Sequence, residues 1–320
     1  MKKVLVTGVA GFIGSHLTEL LLKNNYQVIG IDNFDAFYSK EVKIKNVETL
    51  KSHPNFKFLE VSILDKDALA KNLGYEKFDI VVHLAAKAGI RPSLIAPGDY
   101  VATNIEGYNN ILELARISGW KKIVFGSSSS VYGTNTKIPF NEADEINNVI
   151  SPYAFSKKAG EELSQLYFKL YNLSIVNLRF FTVYGPRQRP DLAIHKFLKA
   201  NMKGEAIEIF GDGSMSRDYT FVGDIVEGIK LSIEKLDRSE TKILETYNLG
   251  NSSPVTLNEL IQNIEAVTKN KTVINYKDVP LGDVPLTYAD ISKAQKDLGY
   301  APVTELKVGL EHFYQWLKVN

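Results

Sequence analysis

Six short apolar runs, separated by segments with helical spacing, constrain the fold of this 320-residue chain. The runs are rich in β-branched and aromatic residues, and they are mostly continuous rather than alternating. Continuous runs are typical of strands covered on both faces, as in a parallel sheet. The segments between them suit crossover helices, so we predict an α/β protein with a doubly wound parallel sheet. The runs begin at Val4, Val28, Phe56, Ile80, Ile123 and Ile175.

The pattern changes after about residue 180, where turn residues separate less regular elements. They gather at Gly185-Pro186, Gly211-Asp212-Gly213 and Val279-Pro280-Leu281-Gly282. We predict one domain over residues 1–180 and a smaller C-terminal lobe over 181–320, with part of 218–250 returning to the sheet.

Composition excludes several classes of protein. The chain has 38 basic and 37 acidic residues, a formal net charge of +1, so no global field favours nucleic acid or an anionic membrane as a partner. Cysteine is absent, which excludes a disulfide scaffold. No apolar run approaches the ~20 residues of a membrane span, and the N-terminal run ends at Gly8, too early for a secretory signal. We therefore expect a cytoplasmic protein that holds any anionic ligand locally.

A glycine-rich loop follows the first predicted strand. Gly8, Gly11 and Gly14 are spaced Gly-x-x-Gly-x-x-Gly and lead into a helix. Glycine there permits a tight turn and a close approach of pyrophosphate, while the helix N-terminus supplies N–H donors. Asp32 ends the second run and would accept hydrogen bonds from the ribose hydroxyls of NAD while repelling the phosphate of NADP. An ordinary tight turn is the alternative, but the position of the loop favours NAD bound to a Rossmann-type domain.

Tyr153 and Lys157 form a candidate catalytic pair. They stand four residues apart in a segment with helical character, so they share one helix face. A nearby ammonium and the positive nicotinamide ring would both favour phenolate, and Tyr153 would then take a proton from a sugar hydroxyl. Lys157 would also hold the nicotinamide ribose. The same spacing recurs at Tyr314 and Lys318, where packing in a terminal helix is the simpler interpretation.

Polar residues elsewhere support a ligand site near this pair. Four serines at 127–130 follow the strand that begins at Ile123, where parallel sheets place their ligand crevice, although a polar loop is the alternative. Only seven arginines occur against thirty-one lysines. The placement of Arg179, Arg187, Arg189 and Arg217 in two motif-like stretches suggests an anion site, with solvated surface arginine as the alternative. The histidines are scattered without ligand spacing, so we predict no metal site. They are His16, His53, His83, His195 and His312.

Together these residues resemble the extended short-chain dehydrogenase/reductase family, and within it the nucleotide-sugar 4-epimerases. The resemblance covers nearly the whole chain and includes the Thr7–Gly14 loop, the His83–Ala86 segment and the Tyr153 and Lys157 pair. It implies a domain that binds NAD, followed by a lobe that binds substrate. The NAD-binding residues it implies are Gly8, Gly11, Phe12, Ile13, Gly14, Asp32, Asn33, Ser62, Ile63, Leu84, Ala85, Ala86, Asn104, Tyr153 and Lys157.

Within this family, the residues after the fifth run indicate the type of reaction. Sugar-nucleotide 4,6-dehydratases carry Asp-Glu where Ser129 and Ser130 stand, because eliminating water needs an acid and a base besides the tyrosine. With neither carboxylate present, removal and return of hydride is the chemistry left. The resemblance implies that Ser128 matches the family's catalytic Ser/Thr, so the implied catalytic residues are Ser128, Tyr153 and Lys157.

Four segments are similar to UDP-glucuronate 4-epimerases: 32–34, 89–93, 179–191 and 282–290. UDP-galactose 4-epimerases usually have asparagine where Thr182 stands. The resemblance implies that Ser129, Ser130 and Thr182 hold the C5 carboxylate by charge-assisted hydrogen bonds. Two departures are Lys87, commonly glutamine in these epimerases, and Ser62, often aspartate. The implied substrate-binding residues are Arg91, Ser129, Ser130, Thr182, Arg189, Arg217 and Asp283.

The implied reaction is epimerisation by transient oxidation. Tyr153 deprotonates the C4 hydroxyl of a UDP-hexuronate while NAD accepts the C4 hydride. The 4-keto sugar then turns, and hydride returns to the opposite face. Two alternatives remain: a UDP-glucose or UDP-N-acetylglucosamine 4-epimerase, and a non-catalytic NAD-sensing regulator, although such proteins commonly lose the tyrosine or the lysine. The resemblance also implies a homodimer.

Overall fold

A computed structural model describes residues 1–278 and 286–320. Its strands, in chain order, are β1 (Lys3–Thr7), β2 (Gln27–Asp32), β3 (Phe56–Glu60), β4 (Ile80–His83), β5 (Lys122–Ser128), β6 (Ser174–Phe180), β7 (Thr182–Tyr184), β8 (Ile207–Phe210), β9 (Ser216–Phe221), β10 (Leu244–Leu249), β11 (Pro254–Thr256) and β12 (Ile274–Lys277).

The helices alternate with the first strands, as the sequence predicts. They are α1 (Phe12–Lys23), α2 (Lys40–Lys51), α3 (Lys66–Leu73), α4 (Ile90–Ile95), α5 (Pro97–Tyr100), α6 (Gly107–Ser118), α7 (Pro152–Tyr171), α8 (Ala193–Lys203), α9 (Val222–Arg238), α10 (Leu257–Thr268), α11 (Ser292–Leu298) and α12 (Leu306–Val319). A π-helical segment, Val101–Glu106, joins α5 to α6, and a 3₁₀ turn, Ser129–Tyr132, follows β5.

In the described residues, seven strands form one parallel sheet in the order β10-β6-β5-β4-β1-β2-β3. Val4, Leu5 and Val6 of β1 are fully buried, because helices cover both faces. Val4 and Val6 pack into one core cluster, whereas Leu5 packs into another on the opposite face. The predicted doubly wound α/β fold is confirmed. The strand order reverses between β1 and β4, which is where such sheets bind their ligands.

The chain after β6 builds two further small sheets. One contains β7, β9 and β11, and the other pairs β8 with β12. A third apolar cluster, which includes Ile194 and Leu310, packs helices α8, α10 and α12 around them. Strand β10 lies beside β6 in the central sheet, within the range where the sequence predicts a return. The domain limits at residues 180 and 181 stay a prediction.

Candidate active site

The glycine loop between β1 and α1 is a close-packed backbone turn. Gly8 has a φ of 72°, and a Cβ there would lie 2.8 Å from the backbone of Ala85. A Cβ on Gly14 would lie 2.2 Å from the carbonyl oxygen of Gly8. No side chain caps α1 at Gly11, and its first turn contains no acidic residue. The turn therefore leaves the helix N-terminus open to a phosphate group, as a bound dinucleotide requires.

Asp32 lies at the carboxyl end of β2, beside this turn. Its carboxylate accepts hydrogen bonds from the backbone N–H groups of Ala10 (3.1 Å) and Phe34 (2.8 Å). Burial raises the pKa of this carboxyl group, while these hydrogen bonds and the Lys43 ammonium oppose the shift. The carboxylate is thus fixed at the strand end, where the sequence predicts a partner for the ribose of NAD.

A cleft of about 930 Å³ runs from the glycine turn to the C-terminal lobe. All the predicted cofactor residues except Asn104 line it, and so do Ser128, Arg91, Thr182, Arg189 and Arg217. Ser129 and Ser130 lie in the 3₁₀ turn directly after Ser128 and do not form its wall. Asp283 lies outside the described residues.

Asn104 lies behind the cleft wall, in the π-helical segment. Its side chain exchanges two 2.8 Å hydrogen bonds with the backbone N–H and C=O of Lys87, and it donates a third, also 2.8 Å, to Ser156. Ser156 in turn donates to the carbonyl of Tyr153. These contacts give Asn104 a supporting position, linking the segment beside the cofactor loop to the start of α7. Its predicted direct contact with NAD stays a prediction.

Local capping explains why α7 begins where it does. The Ser151 hydroxyl accepts a hydrogen bond from the N–H of Ala154 (3.1 Å), and Pro152 occupies the first helical position. This start places Tyr153 in the first turn and Lys157 one turn later, and both side chains line the cleft. The predicted pairing on one helix face is present.

The surroundings of Tyr153 act on the pKa of its phenol. Burial raises this pKa, and the Ser128 hydroxyl and the Arg189 guanidinium oppose that shift. The Lys157 ammonium donates a 2.7 Å hydrogen bond to the carbonyl of Gly126. Burial lowers the pKa of Lys157 to about 8 and makes such a fixed acceptor necessary. That Lys157 and the nicotinamide favour phenolate stays a prediction.

Three arginines line the other end of the cleft. Arg189 binds Asp191 through two hydrogen bonds (3.0 and 2.7 Å) and lies 4.7 Å from the centre of the Phe37 ring. Arg91 lies 4.5 Å from the ring centre of Phe210. Arg217 donates to the carbonyl of Ser216. Guanidinium groups held in this way are suited to planar contacts with a diphosphate or carboxylate.

The predicted anion site does not include the other two arginines. Arg179 is buried and forms an ion pair with Glu161 (2.8 Å), and Arg187 pairs with Glu19 (2.5 Å). Neither lines the cleft. The spacing of arginines along the chain does not distinguish the two in structural ion pairs from the two in the cleft. The reason is that the acidic partners of Arg179 and Arg187 lie on distant elements, α7 and α1.

Lys43 is a cleft residue that the sequence analysis missed. It is buried on α2, lines the cleft beside Asp32, and donates to the carbonyl of Asp35 (2.5 Å). The sequence does carry a signal for Lys43, namely its position on the buried face of α2. That face is formed by Lys43, Asn46, Val47 and Leu50. A lysine at an apolar position of such a face indicates a fixed charge rather than a solvated one.

Within residues 1–278 and 286–320, none of the helices has the length and apolar character that a membrane span requires. No group of three or more His, Cys, Asp or Glu side chains in these ranges is placed to hold a metal ion.

Comparison with known proteins decides the family. The family model described as GDP-mannose 4,6 dehydratase matches residues 5–313. The chain belongs to this family. A UDP-glucuronate 4-epimerase from Thermodesulfobacterium geofontis is 42% identical over 262 residues, which cover 82% of this chain and 79% of that protein.

Solved structures of the family are similar over nearly the whole chain. A UDP-glucuronic acid 4-epimerase from Bacillus cereus, in complex with UDP-glucuronic acid and NAD, is 36% identical, covers 99% of both chains and has a TM-score of 0.90. A UDP-glucose 4-epimerase from Thermotoga maritima, with UDP-glucose, is 34% identical with a TM-score of 0.89 and the same coverage. The prediction of an extended short-chain dehydrogenase/reductase of the nucleotide-sugar 4-epimerase group, an isomerase that uses NAD, is confirmed.

Proposed function

We propose that this protein interconverts UDP-glucuronate and UDP-galacturonate. The observation that carries the proposal is the joint placement of Ser128, Tyr153 and Lys157 in the cleft that also contains the glycine turn and Arg217. Similarity to the UDP-glucuronate 4-epimerases supports the substrate.

The chain's own residues supply proton transfer and orientation. NAD, when bound, supplies the acceptor for the hydride that leaves C4 and the donor for its return. Tyr153 takes the C4 hydroxyl proton and later gives a proton back to the C4 oxygen, and Ser128 orients that oxygen. Lys157 adds a positive charge beneath the ribose. Arg189 and Arg217 hold the diphosphate end, so that the sugar can turn while UDP stays bound.

Hydroxyl groups near Ser128 support a carboxylated sugar. The Ser130 hydroxyl oxygen is buried and has no hydrogen-bond partner within the described residues. Its N–H donates to the Ser128 hydroxyl (3.2 Å), which keeps the 3₁₀ turn next to the cleft. Thr182 begins β7 and lines the cleft. Because two carboxylates would stand at 129 and 130 in a dehydratase, hydroxyls there leave room for the negative charge of the substrate.

A substrate panel tests the proposal. Purified protein is offered UDP-glucuronate, UDP-glucose and UDP-N-acetylglucosamine separately, and the 4-epimer of each is measured by chromatography. We expect turnover of UDP-glucuronate. Conversion of the neutral sugars alone would favour the alternative that the Thermotoga maritima relative supports. Bound NAD with no conversion of any of the three would favour a regulator.

Removal of a hydroxyl that binds the carboxylate should lower activity towards the acidic substrate alone. We expect Thr182→Val to lower kcat/KM for UDP-glucuronate by about tenfold to a hundredfold, because that is the contribution of a charge-assisted hydrogen bond. The matched control is Thr220→Val, since Thr220 is a buried threonine on β9 that does not line the cleft. Equal losses in the two variants would contradict contact between Thr182 and the carboxylate.

We also propose a homodimer. Apolar side chains are exposed on α4 and α7, and Val101 is exposed at the start of the π-helical segment between them. Because α4 and α7 are in contact, their exposed apolar side chains offer a surface that a second copy of the chain can cover. Sedimentation at several protein concentrations measures the association directly. The exposed residues are Leu94, Ile95, Val101, Phe155, Leu166 and Leu170.

A further inference from the structure

A buried ion pair lies one helical turn beyond Lys157. The Glu161 carboxylate accepts two hydrogen bonds from Arg179, at 3.0 and 2.8 Å, in a bidentate arrangement. The side chains are only 8% and 5% exposed, respectively. A charge pair buried in this way contributes little net stability compared with apolar residues, so its position calls for another explanation.

The pair is joined to the strand that carries the catalytic serine. Tyr153, Lys157 and Glu161 stand at four-residue intervals on α7 and share one face. Lys157 donates to the carbonyl of Gly126 (2.7 Å), and Glu161 accepts from the Ser127 hydroxyl (2.6 Å). The Tyr153 phenol forms a hydrogen bond with the hydroxyl of Ser128, the residue that follows Ser127 in β5.

We propose that Glu161 is a positioning residue for the epimerase reaction. By binding Ser127 and Arg179, it fixes the end of β5 against α7 and so sets the position of Ser128 relative to Tyr153 and Lys157. Glu161 does not line the cleft in the described residues, so it acts through its neighbours. This inference rests on the proposed function, because it assigns Glu161 a part in the same reaction.

Arg179 connects Glu161 to a second strand, β6. Arg179 lies opposite Ser127 in the pairing of β5 with β6. The Nη1 nitrogen of Arg179 donates to the Tyr132 hydroxyl (3.0 Å), which in turn donates to Asn248 of β10 (2.7 Å). Glu161 is therefore held from two adjacent strands, and its charge is compensated.

Charge gives a readout that a purely structural role would not move. Burial lowers the pKa of Lys157 to about 8, and the Glu161 carboxylate opposes that shift. Activity that needs the Lys157 ammonium is lost as pH rises through this pKa. Removing the Glu161 charge lowers that pKa further, so the alkaline loss of activity begins at lower pH.

The other groups near Lys157 do not mimic this effect. His83, on β4, is buried, which lowers its pKa to about 3 and keeps it neutral in the working range. From β5, Lys157 meets the Phe125 ring, 5.2 Å away, and the Gly126 carbonyl, neither of which titrates. Ionisation of the Tyr153 phenol supplies the base of the proposed reaction, so it raises activity rather than lowering it. Arg179 keeps its charge over the whole range and is paired with Glu161.

Three variants test the proposal: Glu161→Gln, Ser127→Ala and, as a control, Ser164→Ala. Ser164 is a fully buried serine of α7 that bonds to Tyr108, on the side of α6. Each variant is assayed with UDP-glucuronate from pH 6 to pH 10, a range of about two units on either side of the Lys157 pKa, and thermal unfolding is recorded. We expect Ser127→Ala to lower kcat about tenfold with KM little changed, as misplacement of catalytic groups does.

For Glu161→Gln we expect the alkaline limb of the pH–activity profile to move to lower pH by about one unit or more. The reason is that Lys157 loses an opposite charge. Ser164→Ala should lower stability like Ser127→Ala but keep kcat within about twofold of wild type. If Glu161→Gln does not fold, the two serine variants decide.

A Ser127→Ala enzyme whose kcat matches that of Ser164→Ala would overturn the positioning role, and so would a folded Glu161→Gln enzyme with an unmoved alkaline limb. Inactivity of the wild type towards all UDP-sugars would instead defeat the proposed function, and this inference with it.

Discussion

Tyr153→Phe will reduce kcat by at least about a thousandfold, near the upper part of the range that positioned acid–base groups contribute. In the proposed reaction this phenol exchanges a proton with the sugar, and phenylalanine keeps the ring while removing the hydroxyl. The ring packs edge-on against Tyr100, with centroids 6.1 Å apart, and this contact survives the change. Bound NAD and the thermal unfolding temperature should therefore stay close to wild type.

The second Tyr-x-x-x-Lys pair provides the control. In α12, the Lys318 ammonium lies 4.8 Å from the centre of the Tyr314 ring, and Tyr314 packs on the third apolar cluster. Tyr314→Phe should leave turnover unchanged. A Tyr153→Phe enzyme within a few-fold of wild type would refute the assignment of the base.

Gly14→Ala will lower the affinity of the protein for NAD. The added Cβ lies 2.2 Å from the Gly8 carbonyl oxygen, so the backbone of the turn must move. A forced backbone change of this kind costs about 1–3 kcal/mol, which is about a tenfold to hundredfold loss in affinity. The nucleotide released on denaturing the purified protein, measured by absorbance, should fall to a small fraction of the wild-type amount.

Gly98→Ala is the matched control for this change. A Cβ on Gly98 meets nothing within 4 Å, so the variant should retain NAD like the wild type. Full NAD occupancy in Gly14→Ala would contradict the position assigned to the dinucleotide.

The fold is predictable from the sequence because the patterns that indicate a parallel sheet are local. Each of the six predicted apolar runs lies in a strand of the central sheet, and the glycine turn stands where a strand leads into a helix. The start of α7 also follows from local chemistry, the capping by Ser151.

The less predictable features depend on contacts between distant elements. Nothing in the composition of residues 101–106 indicates a π-helical segment, which forms where Asn104 bonds to Lys87 and Ser156. The sequence suggests that Arg179 binds an anionic ligand. It does not reveal that the packing of α7 on β6 brings Glu161 next to Arg179 as an ion-pair partner. The pKa of Tyr153 likewise depends on burial, which the spacing of residues does not report.

In the proposed reaction, the C4 hydrogen leaves and returns to the same carbon while Tyr153 holds the hydroxyl proton. UDP-glucuronate carrying deuterium at C4 tests it directly, with the product examined by mass spectrometry and NMR. We expect UDP-galacturonate that keeps the deuterium at C4 and takes up no hydrogen from solvent at that position. Product that has exchanged its C4 deuterium with solvent, or that forms at an undiminished rate in Tyr153→Phe, would contradict it.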